Sequence, residues 1–135
     1  MEDIFVARVM SPDVVTVPPD TLVEDAASQM LERSISSLVV VDEAGHLEGI
    51  LTTTDFVDIV ARSQPKAETT VERYMTTDVA TTTAQASIVD AANEMVERGF
   101  HHMPVVDDEA GVIGMLSTAD LTGYISSVDR PSPSE

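Results

Sequence analysis

Two stretches decide the fold: Gly49-Ile50-Leu51-Thr52-Thr53-Thr54-Asp55 and, 65 residues further on, Gly114-Met115-Leu116-Ser117-Thr118-Ala119-Asp120. Sliding the 135-residue chain along itself by that distance aligns its halves without a gap. Val6-Ala7-Arg8-Val9-Met10 meets Val71-Glu72-Arg73-Tyr74-Met75, and Asp13, Val14 and Thr16 meet Asp78, Val79 and Thr81. Asp25-Ala26-Ala27 meets Asp90-Ala91-Ala92, Met30, Glu32 and Arg33 meet Met95, Glu97 and Arg98, and Val40-Val41-Asp42 meets Val105-Val106-Asp107. In all, 19 of the 52 positions from Val6 to Val57 are identical to their counterparts. The chain is a tandem duplication of a unit too small to bury a comfortable core alone.

Working outward from the repeated stretch, each copy has one layout. A short extended segment (Asp13–Val17; Asp78–Thr82) precedes a helix. In the first copy Thr21-Leu22-Val23-Glu24 reads as a capping box. Apolar residues then recur at helical period: Val23, Ala26, Ala27, Met30 and Leu31, matched by Ile88, Ala91, Ala92, Met95 and Val96. A buried strand follows (Leu38–Val41; Met103–Val106), then an acidic, glycine-containing turn and a strand through Gly49 or Gly114. A second helix starts near Thr54 or Ala119, carrying Phe56, Ile59 and Val60 or Leu121 and Ile125. The order β-α-β-β-α, twice, predicts an α+β (mixed α/β) fold. The expected divisions are unit 1 at 1–63, a Pro65-containing linker at 64–70, unit 2 at 71–127 and a disordered tail at 128–135.

Composition narrows the function. Twenty-four acidic against seven basic residues give a net charge of −17. That leaves no basic patch for a phosphate backbone or an anionic membrane, so neither nucleic acid nor membrane is an expected partner. No apolar run reaches the ~18–20 residues of a membrane span, and the N-terminus lacks the pattern of a secretory leader. A soluble, cytoplasmic protein is expected. The absence of cysteine removes disulfides and thiolate chemistry. Lys66 is the only lysine, and many carboxylates with so few lysines resemble the composition of proteins from salt-accumulating organisms, where salt screens self-repulsion. The three histidines show no zinc-ligand spacing and the acidic turns no calcium-loop spacing, so no metal site is expected. Met30 and Met95 read as core residues.

The repeated stretch also carries the candidate chemistry. A hydroxyl residue closes a strand, and an acid follows three residues later in the first turn of a helix. Such a pair caps a helix N-terminus. The same geometry holds a phosphate on free N–H groups and lets a carboxylate accept both hydroxyls of a ribose. Two repeat-related copies, each after Gly-apolar-apolar, favour the second reading.

With these residues in place, the chain resembles a pair of cystathionine-β-synthase (CBS) domains from Val6 to about Ser127. The similarity lies in Val9-Met10-Ser11-Pro12-Asp13, in Arg98-Gly99-Phe100-His101-His102-Met103-Pro104-Val105-Val106-Asp107 and in the two Gly-to-Asp motifs. The resemblance implies two units packed sheet-to-sheet as one pseudo-twofold module, usually a homodimer, that regulates a separate partner. It implies two clefts for adenosine compounds: AMP, ADP, ATP or S-adenosylmethionine. One cleft would use Thr16, Thr21 and Ile35 with His101, Ser117 and Asp120. The other would use Thr81, Ala86 and Phe100 with Ser36, Thr52, Thr54 and Asp55. The two aspartates would hold ribose, and Thr52 and Ser117 phosphate or ribose oxygens.

The copies differ where the resemblance places phosphate-contacting residues: His101-His102 stand against Ser36-Ser37, and Ala119 replaces Thr54. The Asp120 cleft is therefore expected to take a phosphorylated ligand more tightly, since imidazole donates to phosphate. The expected function is a stand-alone sensor with an adenosine ligand, no obligatory cofactor, no catalysis and an effector on another polypeptide. A scaffold with vestigial clefts is the alternative. The chain is also similar to the regulatory insert of IMP dehydrogenase, yet it lacks that enzyme's barrel and a cysteine nucleophile.

Overall fold

The computed structural model describes residues 4–62 and 69–128. The expected tail, save Val128, and most of the expected linker lie outside the described residues. The elements are α1 (Val6–Val9), β1 (Thr16–Val17), α2 (Val23–Arg33), β2 (Ser37–Val41), β3 (Leu47–Thr52), α3 (Thr53–Arg62), α4 (Val71–Tyr74), α5 (Ile88–Arg98), β4 (His102–Asp107), β5 (Gly111–Ser117) and α6 (Thr118–Val128). The α+β class and the repeated layout follow the sequence expectation.

The compact units follow different boundaries from the sequence repeats. Unit I combines Val14–Val79 with Asp108–Val112, and unit II combines Met1–Asp13, Ala80–Asp107 and Ile113–Glu135. Each unit thus takes its sheet and long helices mainly from one repeat, and the short segment that leads into a repeat belongs with the other repeat's strands.

Unit I holds the sheet β1-β2-β3. β1 pairs parallel with β2 (Thr16 opposite Val39), and β2 pairs antiparallel with β3 (Val39 opposite Ile50). Leu38, Val39 and Val40 are all buried, so β2 is covered on both faces. Leu38, Val40 and Leu51 join Val23, Ala26, Met30, Ile59 and Val71 in one core. Unit II holds β4 and β5 with a matching core of Met103, Val105, Leu116, Ile88, Ala91, Met95 and Val6. Its third strand shrinks to a bridge between Thr82 and Val105. The cause is Pro104, which stands where β2 has Val39. The Val39 N–H donates to the Val15 carbonyl (3.1 Å), a bond that proline cannot make.

The segment leading into each repeat is pinned in the same way in both units. In unit II, Ser11 and Met115 exchange two backbone hydrogen bonds of 2.8 and 2.9 Å; in unit I, Ile50 and Thr76 exchange two of 3.0 and 2.9 Å. Beside these bridges Met10 lies on Gly114 and Met75 on Gly49, so close that a Cβ on either glycine would stand 2.6 or 2.7 Å from the methionine sulfur. The repeated glycines leave room for the repeated methionines.

Four local expectations need correction. The Thr21–Glu24 capping box does not form: the N-cap is Leu22, with no side-chain cap. The Val23 N–H instead donates to the Thr69 carbonyl (2.9 Å), and the Ile88 N–H of α5 donates to that of Ile4 (2.9 Å). In α2 a neighbouring chain segment stands in for the side-chain cap, whereas α5 also has one, the Ser87 hydroxyl oxygen accepting the Val89 N–H (3.1 Å). The helical core face is narrower than the apolar pattern, because Leu31 and Val96 are each 81% exposed while Val23, Ala26 and Met30 are buried. The expected extended segments shorten to Thr16–Val17 and the Thr82 bridge. Finally, α3 and α6 begin one residue earlier than expected, at Thr53 and Thr118.

Candidate functional site

β3 ends at Thr52 and α3 begins at Thr53, so strand and helix join with no loop between them. That junction forces the last strand residue to serve as the helix cap. The Asp55 carboxylate reaches back and accepts from the Thr52 N–H (2.8 Å) and the Thr52 hydroxyl (3.2 Å), both on Oδ2. The Thr53 N–H donates to the Ser36 carbonyl (3.1 Å), which holds the start of β2 against the motif.

Unit II repeats this with a change. The Ser117 N–H donates to Asp120 Oδ2 (2.9 Å), while the Asp120 N–H donates to the Ser117 hydroxyl oxygen (3.1 Å). This is a reciprocal capping box with aspartate in the acidic position. The Thr118 N–H donates to the His101 carbonyl (3.0 Å), so His101 takes the place of Ser36.

Both carboxylates have a further partner that sequence reasoning did not single out. The Ser11 hydroxyl donates to Asp120 Oδ1 (3.0 Å), and the Thr76 hydroxyl donates to Asp55 Oδ1 (3.3 Å). Ser11 and Thr76 are themselves 65 residues apart. The signal was a hydroxyl after the repeated methionine in both copies, hidden from an identity count because serine faces threonine.

Unit I therefore gathers Ser36, Thr52 and Asp55, with exposed Thr54 in the first turn of α3. Unit II gathers His101, Ser117 and Asp120, with His102 half-buried at the start of β4. Burial pushes the His102 imidazole pKa down, neighbouring His101 pushes the same way, and the Asp120 carboxylate opposes them. Its neutral form is favoured.

The remaining candidates make other contacts in their units. The carbonyls of Thr21 and Ala86 receive the N–H groups of Val71 and Val6 (2.8 Å each), where the leading segments dock. Ile35 packs on the unit I core and Phe100 on that of unit II, with the Arg98 guanidinium 4.9 Å above the Phe100 ring. Half-buried Thr81 precedes the Thr82 bridge. Thr16 lines an open groove of about 580 Å³ with Pro18, Pro19, Asp20, Asp42, Glu43 and Glu48, a lining that includes none of the other candidates. Among the described residues no group of three or more His, Asp or Glu is gathered as for a metal ion, and no helix is long and apolar enough to cross a membrane.

The twin strand–cap–carboxylate junctions meet their match in a protein-family model for the CBS domain, which fits residues 6–62 and again 71–127. The chain belongs to the CBS domain family. This CBS pair is 34% identical over 116 residues to an uncharacterised 17.7 kDa protein of Acidianus ambivalens, covering 86% of this chain and 70% of that one. It is 32% identical over 125 residues to a homoserine O-acetyltransferase of Methanosalsum zhilinae, covering 93% of this chain but only 25% of the enzyme. Among solved structures it is similar to the CBS domain pair of protein MJ0100 in complex with 5′-methylthioadenosine and S-adenosyl-L-methionine. That likeness has a TM-score of 0.85 and 26% identity, covering 93% of this chain and 98% of the other.

Proposed function

We propose that this CBS pair is a cytoplasmic regulatory sensor that binds an adenosine-containing ligand (AMP, ADP, ATP or S-adenosylmethionine) and modulates a separate partner protein. The observation that carries this reading is the pair of capped carboxylates. Each is oriented by the N–H of the residue ending its strand, and among the described residues neither has all of its roughly four acceptor positions filled. A ribose diol is the complementary donor. The similar MJ0100 pair, crystallised with two adenosine compounds, supports the same ligand class.

In this reading Asp55 and Asp120 hold ribose, and Thr52 and Ser117 hold ribose or phosphate oxygens. His101 and His102 meet phosphate. Thr16, Thr21, Ile35, Ser36, Thr54, Thr81, Ala86 and Phe100 line the two clefts. The net charge of −17 opposes a triphosphate in dilute buffer, whereas cationic S-adenosylmethionine escapes that repulsion. The role is regulatory rather than catalytic. The likeness to the acetyltransferase spans a quarter of that enzyme and does not transfer its activity.

A homodimer forms part of the proposal. Exposed Leu31 and Val96 are repeat-related, as are exposed Val60 and Ile125, so each unit offers an equivalent apolar helix surface. Self-association of like surfaces is the usual route to a twofold dimer. Sedimentation of the wild type against Leu31→Glu tests it.

The ligand reading is tested by calorimetry with S-adenosylmethionine, 5′-methylthioadenosine, AMP and ATP at low and high salt. Asp55→Asn and Asp120→Asn should each weaken one class of site by roughly 10- to 100-fold, the range for losing hydrogen bonds to a charged acceptor. Absence of heat and of thermal shift with all four compounds would leave the scaffold with vestigial clefts.

A further inference from the structure

The two carboxylates are not equally ready for a ligand, and the difference lies in their internal hydrogen bonds. Among the described residues Asp120 accepts two, one on each oxygen: the Ser117 N–H on Oδ2 and the Ser11 hydroxyl on Oδ1. One further acceptor position remains on each oxygen. Asp55 accepts three. The Thr52 N–H and hydroxyl together fill Oδ2, and the Thr76 hydroxyl takes half of Oδ1. A vicinal diol, which brings two donors, fits onto Asp120 with nothing displaced. On Asp55 it finds Oδ2 closed by a residue of the same turn, and only one position open on Oδ1.

The serine–threonine exchange at the cap produces this contrast. The Ser117 oxygen accepts the Asp120 N–H, which leaves its own proton free to donate to a ligand. The Thr52 hydroxyl spends its proton on Asp55. Thr76 then decides the remaining capacity, because among the described residues it is the one competitor on Oδ1. Its bond is long for a hydroxyl on a carboxylate, at 3.3 Å, and is the first to yield.

We propose that Thr76 is a specificity-determining residue: its hydroxyl occupies the Asp55 oxygen that a ribose diol needs, so vicinal-diol ligands load the Asp120 half-site first and the Asp55 half-site only on displacing Thr76. This inference rests on the ribose role proposed above for the two aspartates. Ser11 has no such power over Asp120, where Oδ2 keeps an open position whatever Ser11 does.

The test is calorimetry with 5′-methylthioadenosine and its 2′-deoxy analogue. In an Asp120→Asn background the Asp55 half-site is read alone, and there Thr76→Val should tighten 5′-methylthioadenosine binding about five- to tenfold, the worth of one hydrogen bond no longer displaced. Thr76→Ser keeps the hydroxyl and should match the parent, which separates the hydroxyl's effect from packing. The 2′-deoxy analogue needs a single acceptor position, so Thr76→Val should leave its affinity within twofold. In an Asp55→Asn background Ser11→Ala should likewise change 5′-methylthioadenosine affinity less than twofold. Unchanged or weakened binding in Thr76→Val, with the wild type binding normally, overturns the assignment of Thr76. Failure of the wild type to bind 5′-methylthioadenosine at all overturns the ribose reading itself.

Discussion

Gly49→Ala and Gly114→Ala are the same substitution at repeat-related positions, and the structure makes their costs unequal. Neither glycine has a left-handed backbone, so the cost is steric alone. At Gly49 the new Cβ would stand 2.7 Å from the Met75 sulfur, 2.8 Å from its Cγ and 2.9 Å from the Thr76 carbonyl oxygen. Ordinary carbon contacts begin near 3.5 Å. The methionine can turn away, having three rotatable bonds. The carbonyl cannot, because it accepts the Ile50 N–H at 3.0 Å while the Thr76 N–H donates to Ile50 at 2.9 Å. At Gly114 the sulfur is 2.6 Å away, but Met10 Cγ and the Ser11 carbonyl are each at 3.2 Å. Overpacking costs typically ~1–3 kcal/mol, and the Gly-to-Ala change returns ~0.4–1 kcal/mol through the unfolded chain. Gly49→Ala should therefore cost about 2 kcal/mol net and Gly114→Ala less than about 1 kcal/mol. Urea denaturation of ligand-free protein at fixed salt measures both. In double-mutant cycles Met10→Ala should remove most of the Gly114→Ala penalty, and Met75→Ala less than half of the Gly49→Ala penalty. Equal costs at the two glycines, or full relief by Met75→Ala, would refute the argument that the backbone bridge sets the difference.

Ser34 caps α2 at φ 54°, a left-handed conformation that its counterpart Gly99 adopts at φ 72° without a Cβ. Ser34→Gly should raise stability by about 1 kcal/mol in the same assay. His102, whose pKa is lowered by burial, binds its proton more readily in the unfolded chain than in the fold. The contribution of His102 to stability is therefore complete above pH 6.5 and is lost as pH drops from 6.5 through the lowered folded value; His102→Gln should remove that part of the slope in melting curves taken from pH 7.5 to 5. With a net charge of −17, raising salt from ~0.01 to ~1 M shortens the screening length from ~30 to ~3 Å, so the melting temperature should climb across that range, and a flat response would contradict the self-repulsion reading.

The duplication, the order of elements and the twin hydroxyl–acid junctions were legible because a gapless repeat fixes which residues correspond. It does not say which copy a segment packs against. That is why the sequence does not reveal the roles of Ser11 and Thr76: each lies one residue beyond its repeat's identical methionine, and each bonds a carboxylate from the other repeat's sequence. The Thr21–Glu24 pattern misled for the same reason, since the Thr69 carbonyl had already met the need that a capping side chain serves. Leu31 and Val96 fit the apolar period yet face outward, because period alone does not limit how wide a stripe the sheet covers. The shortened third strand of unit II was present in the sequence as Pro104, and only the pairing register shows what its missing N–H removes.

A carboxylate that caps a helix and a carboxylate that holds a ribose use the same atoms, so the motif alone leaves its purpose open. The hydrogen bonds separate the two roles. Capping at Asp120 engages Oδ2 through the Ser117 N–H, while Oδ1 is turned to an exposed serine hydroxyl from another segment of the chain. An asparagine at that position keeps an oxygen for the Ser117 N–H but gives up the charge, and its NH2 group faces Ser11 or the ligand as a donor. If Asp120 serves the fold alone, Asp120→Asn should be nearly silent in both stability and binding. If it serves a diol, the substitution should leave the unfolding free energy within about 1 kcal/mol while binding falls at least tenfold, because one amide cannot accept from two hydroxyls as a carboxylate does.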